Sequence, residues 1–322
     1  MNSEICLKVD NLRTYFKVRR PHVFAEQPTV YAVDGVSFEI ASGKTLGLVG
    51  ESGCGKSTTA FSVLRLVEPI SGSVVLKGVD VCQLNENDLR NYRRHMQIIF
   101  QDPYSSMNPR TTAGEIIRAP LRILGIGTSE EQHQRVEELL GMVGLRPEQK
   151  KLYPHQFSGG QRQRICVARA LAPNPDFVVC DEPVSALDVA IQSQILNLLA
   201  RLQREFGLTY LFISHDMAVV QHICDEIAVM YLGRIVERAD RRSLFLDVKH
   251  PYTKALLSAV PSMDREAGRS STPLGGDVPS PMDPPSGCHF HTRCPFAEMR
   301  CSMEVPVLRE VLPNHWVACH LV

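Results

Sequence analysis

Apolar and polar residues alternate over Leu7–Val18, Tyr31–Ile40 and Val74–Val81, and this period of two predicts strands of an antiparallel sheet with one buried face. Between the first two, RRPHVFAEQP follows neither period and reads as an exposed loop. A short apolar run from Thr45 to Gly50 enters a glycine-rich turn, and Lys56–Val67 has helical spacing, so the order is strand, loop, helix. Ser129 followed by Gln132 resembles a capping box, in which hydroxyl and amide satisfy the free donors of a helix running through Glu137, Leu139 and Leu140. A helical subdomain is predicted over 103–171. Phe177–Cys180 and Thr209–Ser214 read as buried strands flanking a helix over Val189–Phe206. That helix stops at Gly207, where a left-handed cap costs little. Strands alternating with helices predict a parallel sheet covered on both faces.

The pattern breaks after about Val260. Residues 261–287 are rich in Pro, Ser, Gly and Asp and read as a linker or lid-like loop. Cys288–Val322 then gathers four cysteines, Trp316 and several prolines in a stretch too short for a core of its own, which predicts that something staples it. The 322 residues correspond to roughly two domains at about 150 residues each. With 44% hydrophobic residues a disordered or fibrous chain is excluded. Thirty-five basic side chains balance thirty-five acidic ones, so no global field draws the chain to nucleic acid. Apolar runs such as Ile227–Leu232 fall far short of the roughly 18 residues of a bilayer span. The start MNSEICLKVD has no basic region followed by an apolar one. The expectation is a soluble, cytoplasmic chain whose ten cysteines are reduced thiols or metal ligands.

The strongest chemical signal is Gly50, Glu51, Ser52, Gly53, Cys54, Gly55, Lys56, Ser57, Thr58, which fits G-x-x-x-x-G-K-[ST] between a strand and a helix. Glycines let such a turn wrap closely, so that backbone N–H groups and the helix N-terminus face anionic oxygens while Lys56 adds a point charge. Ser57 would ligate Mg²⁺. Cys54 sits at a variable position and reads as a small packing residue rather than a redox switch. Phe177–Cys180 runs into Asp181 and Glu182, two carboxylates at the end of an apolar strand. Asp181 would hold Mg²⁺ through water, and Glu182 would orient or deprotonate water attacking a terminal phosphate. Taken alone, that strand end reads equally well as solvated surface.

The order of further motifs removes the ambiguity. Phe157-Ser158-Gly159-Gly160-Gln161 resembles the signature sequence of the ATP-binding cassette family, Gln101 in IIFQDP its Q-loop, Ser185-Ala186-Leu187-Asp188 its D-loop, and His215 in ISHD its switch histidine. The resemblance implies a P-loop ATPase: an α/β core with a mostly parallel sheet, an antiparallel β subdomain, a helical subdomain and a small C-terminal cysteine-containing extension. It implies ATP and Mg²⁺, with Glu182, His215 and Gln101 as catalytic residues and Ser57, Gln101 and Asp181 around the metal. It also implies an aromatic stacking on adenine, Tyr15 first and Phe16 second, with an ordinary half-buried strand residue as the alternative. Ser158, Gly159, Gly160 and Gln161 would act in trans, presenting a helix N-terminus to the γ-phosphate held by an opposite subunit.

FQDPYSSMNPR, DEPVSALDVAIQSQILNLL and HPYTKALLSAVP are similar to the peptide/nickel branch of that family, as in the second ATPase subunit of a dipeptide or oligopeptide importer. That similarity implies a nucleotide-binding domain over 1–250 and an extension over 251–322. The implied partners are a related but different ATPase chain, two transmembrane permease subunits and, indirectly, a solute-binding protein, with no nucleic acid. The implied place is the cytoplasmic face of the membrane. Nickel, glutathione and haem-like cargo stay open, as does a soluble cassette ATPase without transport. Cys288, Cys294, Cys301 and Cys319, with five, six and seventeen intervening residues, are spaced unlike a zinc ribbon. The branch includes members with an iron–sulfur cluster at such a set, so a [4Fe–4S] cluster is expected over zinc or free thiols. His289, His291, His315 and His320 crowd the same segment and could replace a cysteine.

Overall fold

The computed structural model describes residues 4–18, 27–258 and 276–322. The chain gives β1 (Ile5–Lys17), β2 (Thr29–Ala41), β3 (Thr45–Val49), α1 (Lys56–Val63), β4 (Ser71–Leu76), β5 (Val79–Asp80), α2 (Glu86–Tyr92) and β6 (Met96–Ile99). There follow α3 (Ala113–Leu124), α4 (Ser129–Met142), α5 (Gly159–Leu171), β7 (Phe177–Asp181), α6 (Val189–Phe206) and β8 (Thr209–Ser214). The rest comprises α7 (Met217–Ile223), β9 (Glu226–Tyr231), β10 (Arg234–Asp240), α8 (Arg241–Leu246), α9 (Pro251–Ser258), α10 (Met299–Met303), β11 (Arg309–Leu312) and β12 (His315–Val317). By their contacts these elements form two compact units, one of 1–7, 40–44 and 76–213, the other of 8–39, 45–75 and 214–322.

In the first unit β6, β7 and β8 are parallel, with Met96 opposite Phe177 and Phe177 opposite Thr209. Every residue of β7 and β8 is buried, which explains why their sequences are continuous apolar runs rather than alternating ones. Helix α6 buries Ile195, Leu196, Leu198, Leu199 and Leu202 at helical spacing. Its ends match the expectation: Asp188 caps the start by accepting from Ile191 N–H at 3.0 Å, and Gly207 closes it at φ 65°. Helices α3, α4 and α5 lie within the predicted helical stretch. The cap of α4 differs from expectation by one residue. Thr128, not Ser129, accepts from Glu131 N–H, and the Glu131 carboxylate accepts from Thr128 N–H at 2.6 Å. Only Thr128 has the extended backbone that an N-cap requires, and a carboxylate at the third helical position serves better than the amide of Gln132.

In the second unit β2, β1 and β4 lie side by side in one sheet, and a second sheet runs β11–β12–β10–β9–β3. Within it β3 and β9 are parallel, while β10 turns back on β9 and β12 pairs antiparallel with β10. The predicted strand over Val74–Val81 is instead β4 and β5, parted by a turn at Lys77 (φ 47°) and Gly78 (φ 82°). Helix α1 stops at Val63, short of the predicted Val67, and Arg65 beyond it takes a positive φ. Residues 19–26 of the predicted loop and 261–275 of the predicted linker lie outside the described residues.

The tail corrects the expectation that it needs a staple. β12 joins the sheet edge, with Val317 opposite Glu237 and Trp316 opposite Arg238, whose guanidinium lies 5.1 Å from the indole. Phe290, Val317, Ala318, Cys301 and Cys319 are buried. The tail therefore has no separate core because it borrows this one. One buried acceptor ties it down, and a second sets the helix before it. The Glu237 carboxylate accepts from the N–H groups of Lys249 and His250 and bonds the His315 ring at 2.8 Å. His250 Nδ1 accepts from Tyr252 N–H at 3.1 Å, setting the first turn of α9.

Burial pushes the His250 imidazole down to about 3. Below about pH 6.5 the unfolded chain binds a proton there that the folded chain refuses, so stability present above that pH is lost on acidification, at about 1.4 kcal/mol per pH unit until about pH 3. His250→Asn keeps an acceptor that cannot charge. Its urea midpoint is expected to fall less steeply than wild type between pH 6 and pH 4, and parallel slopes would contradict the assignment.

Candidate functional site

The glycine-rich turn after β3 is built around one ammonium. Lys56 is 5% exposed, and its Nζ donates to the carbonyls of Gly50 at 2.8 Å and Glu51 at 2.9 Å. A lysine this deep is tolerable only with such partners, and they hold its charge inside the turn. Gly55 is the N-cap of α1 at φ 106° and has no side chain with which to cap the helix. A Cβ at Gly55 would lie 2.0 Å from the Ala32 carbonyl, so only glycine fits. Cys54 is buried, burial raises its thiol, and Lys56 Nζ lies 3.8 Å from its sulfur, in keeping with a packing residue. Ser52 is exposed, and Ser57 and Thr58 are half-buried. A buried cation and a glycine cap at a helix N-terminus suit the oxygens of a polyphosphate.

Asp181 ends β7, Glu182 follows it, and Gln101 follows β6 by two residues. The structure brings two of these together: Gln101 Nε2 donates to the Glu182 carboxylate at 2.9 Å. Glu182 takes φ 45°, unusual for a residue with a side chain, and its N–H donates to the Ile213 carbonyl. This left-handed turn redirects the chain just past the buried Asp181, the sort of strain that persists where surrounding bonds over-determine it. His215 follows β8 and is exposed.

Ser158 caps α5 as a full capping box with Gln161: its hydroxyl accepts from Gln161 N–H, and its own N–H donates to the Gln161 side-chain oxygen. Gly160 is forced by packing, since a Cβ there would lie 2.5 Å from Ile191 of α6, while Ser158 and Gly159 stay exposed. The segment after Gln101 is tied to the same helix. The Arg162 guanidinium lies 4.7 Å from the Tyr104 ring centroid, Ser106 Oγ meets Cys166 Sγ at 3.4 Å, and Arg169 donates to the Ser106 carbonyl. The segment after Gln101 is thus fastened to the helix that Ser158 caps.

Tyr15 donates to Asp34 Oδ1 at 2.7 Å and meets Tyr31 edge-on at 4.9 Å. Burial, then the bond to Asp34, push its hydroxyl up to about 12. Phe16 is 40% exposed. Burial raises the thiols of Cys288 (to about 11), Cys294 and Cys319, and each is pushed further by neighbouring tail cysteines. The four are thus neighbours, yet among the described residues no three metal-ligating side chains stand in positions that would hold an ion. The four tail histidines have other partners: His315 bonds Glu237, and His289, His291 and His320 bond carbonyls of Leu232, Cys288 and Glu304.

Sequence reasoning passed over Arg293 and Tyr252. Arg293 forks onto the Glu51 carboxylate, and the Tyr252 hydroxyl accepts from Glu51 N–H at 2.9 Å. HPYTKALL was visible as a motif, but nothing in it points to residue 51.

Residues 33–185 match the family model described as ABC transporter, and 236–301 match the oligopeptide/dipeptide transporter C-terminal region. The chain is 49% identical over 324 residues to the oligopeptide transport ATP-binding protein AppF of Bacillus subtilis, covering 99% of this chain and 98% of that one. It is 54% identical over 298 residues to a peptide import ATP-binding protein of Brucella ovis, covering 92% and 94%. Among solved structures, the dimeric post-hydrolysis state of the ATP-binding cassette MJ0796 bound to ADP and phosphate superposes with a TM-score of 0.65 at 30% identity, covering 73% of this chain and 99% of that one.

Gly55→Ala combines a forbidden φ with a backbone clash and is expected to weaken binding of a fluorescent ATP analogue by about 10- to 100-fold in a chain that still folds. Undiminished affinity would show that the turn does not cradle the phosphates.

Proposed function

The chain belongs to the ATP-binding cassette transporter family, in its oligopeptide/dipeptide branch, and from that membership we propose that it is the ATP-hydrolysing subunit of an importer for dipeptides or oligopeptides. The observation that carries the reading is the buried Lys56, held by two carbonyls of its own loop in a chain whose C-terminal region matches the peptide-transporter model.

Residues 50–58 bind the ATP phosphates through loop N–H groups and Lys56. Ser57, Asp181 and Gln101 would hold Mg²⁺, which would neutralise charge on the phosphate oxygens. Glu182 accepts the proton of the attacking water or orients it, with Gln101 as its hydrogen-bonded neighbour. His215 contacts the γ-phosphate, and Tyr15 stacks on adenine. Ser158, Gly159, Gly160 and Gln161 meet the γ-phosphate bound by the opposite cassette, and Asp188 starts the helix beside that interface. ATP then joins two cassettes, and hydrolysis releases them. The nucleotide-binding domain is 1–250 and the peptide-importer extension 251–322.

No helix among the described residues is long and apolar enough to cross a membrane. In our reading the spanning path belongs to two separate permease subunits, the second cassette to a related chain, and cargo delivery to a solute-binding protein, with this subunit at the cytoplasmic face. The tail thiols are read as ligands of a [4Fe–4S] cluster. This reading rests on the spacing of Cys288, Cys294, Cys301 and Cys319, while among the described residues no three ligating side chains are placed to hold an ion.

Glu182→Gln is expected to bind MgATP as wild type does while turnover falls by roughly 100-fold or more. Wild-type turnover would remove the assigned role. For the tail, purification without oxygen is expected to give a brown protein whose visible absorbance vanishes in Cys294→Ser. A colourless protein with stoichiometric zinc rejects the cluster. Co-purification with polytopic subunits and peptide-dependent uptake supports the transport reading, whereas assembly with ribosomes or DNA would end it.

A further inference from the structure

The G-x-x-x-x-G-K-[ST] pattern leaves position 51 free to vary, yet Glu51 is tied at three points. Its carbonyl accepts from Lys56 Nζ at 2.9 Å, its N–H donates to the Tyr252 hydroxyl at 2.9 Å, and its carboxylate accepts both arms of Arg293 at 2.7 and 3.1 Å. The last two partners come from the C-terminal region beyond residue 250. Neither is a loose surface contact. The Arg293 side chain is 5% exposed against 25% for Glu51, and Tyr252 is fully buried. A forked, largely desolvated arginine–carboxylate pair is directional in a way that an exposed lysine pair is not.

The grip on Arg293 is equally specific. Its guanidinium lies 5.9 Å from the Tyr231 ring centroid and reaches the Tyr231 hydroxyl at 3.5 Å. Tyr231, Tyr252 and Phe290 pack against one another with ring centroids 4.7 to 5.4 Å apart, joining the end of β9, the start of α9 and the tail. The loop itself is poorly suited to keep its shape, because Gly50, Gly53 and Gly55 all have positive φ and glycine has the most freedom to lose. A loop ordered beforehand binds more tightly, since less ordering remains to be done when the phosphates arrive.

We propose that Arg293 and Tyr252 are positioning residues of the phosphate loop: by fixing Glu51 they fix the carbonyl that steers Lys56, so the C-terminal extension sets the affinity for nucleotide. This rests on reading residues 50–58 as the ATP-phosphate loop. The extension then has a role inside the ATP site, and any change of shape around Arg293 reaches Lys56 through one residue. The Tyr252 arm acts on the loop backbone and the Arg293 arm on the side chain, so the second can be removed without disturbing the first.

The test is a double-mutant cycle on the full-length chain, reading the Kd of a fluorescent ATP analogue, the KM and kcat for ATP, and the thermal midpoint. Glu51→Gln and Arg293→Gln are each expected to raise Kd and KM about tenfold, the equivalent of about 1.4 kcal/mol, and for Arg293→Gln kcat at saturating ATP stays within about twofold. The double variant is expected to be no worse than either single, because both remove one interaction. Arg293→Lys, which keeps charge but loses the fork, should fall between wild type and Arg293→Gln. A lowered thermal midpoint with unchanged Kd in Arg293→Gln, or effects that multiply in the double, would overturn the proposal. Lys56→Ala runs beside the cycle: if it binds nucleotide normally, the phosphate-loop reading fails, whereas if it loses binding and Arg293→Gln does not, only the clamp fails.

Discussion

Everything in the ATP-binding half of this chain depends on burying one positive charge in a turn that has little stiffness of its own. Lys56 is 5% exposed and depends on the carbonyls of Gly50 and Glu51. An ammonium out of water costs several kcal/mol unless partners surround it, and the partners that do so here belong to the segment that must also wrap a polyphosphate. The sheet and helices keep that segment in place. β3 delivers it, α1 begins at its end, and the aromatic group of Tyr231, Tyr252 and Phe290 backs it through Glu51.

The other unit ties its carboxylate-bearing strand end to a helix. Gln101 touches Glu182, and the residues just after Gln101 are fastened to α5 by Arg162 on Tyr104 and Arg169 on the Ser106 carbonyl. Ser158 stands at the start of that same helix. The carboxylate end of β7 and the exposed Ser158–Gly159 corner are thus joined through one packed helix. Gly160 allows α5 and α6 to approach closely, as the space a Cβ would need is filled by Ile191.

Local patterns were legible in the sequence in proportion to how local their causes are. The buried strands β7 and β8, the helix from Val189 to Phe206 and its Gly207 stop follow from periodicity and turn chemistry, and the ordered motifs from Gly50 to His215 name the family. The α4 cap was missed by one residue because Thr128 and Ser129 both suit an N-cap and only backbone φ and ψ choose between them. The tail was misjudged for a stronger reason. Whether a short segment needs its own core depends on what it lies against, and the β12–β10 pairing joins residues almost eighty apart. Arg293 on Glu51, separated by 242 residues, leaves no periodic trace at all.

Membership in the cassette family turns these local facts into one central claim: the phosphate gripped by Lys56 of one cassette is closed off by Ser158 and its glycines on another. The most direct measurement uses an ATP analogue with a photoreactive group on its terminal phosphate. It is bound to the assembled transporter in which this chain carries Lys56→Ala, so that only the related cassette chain can hold nucleotide. The account predicts that irradiation labels the Ser158–Gln161 peptide of the Lys56→Ala chain, which could have met the probe only across an interface. Label confined to the related chain would contradict it.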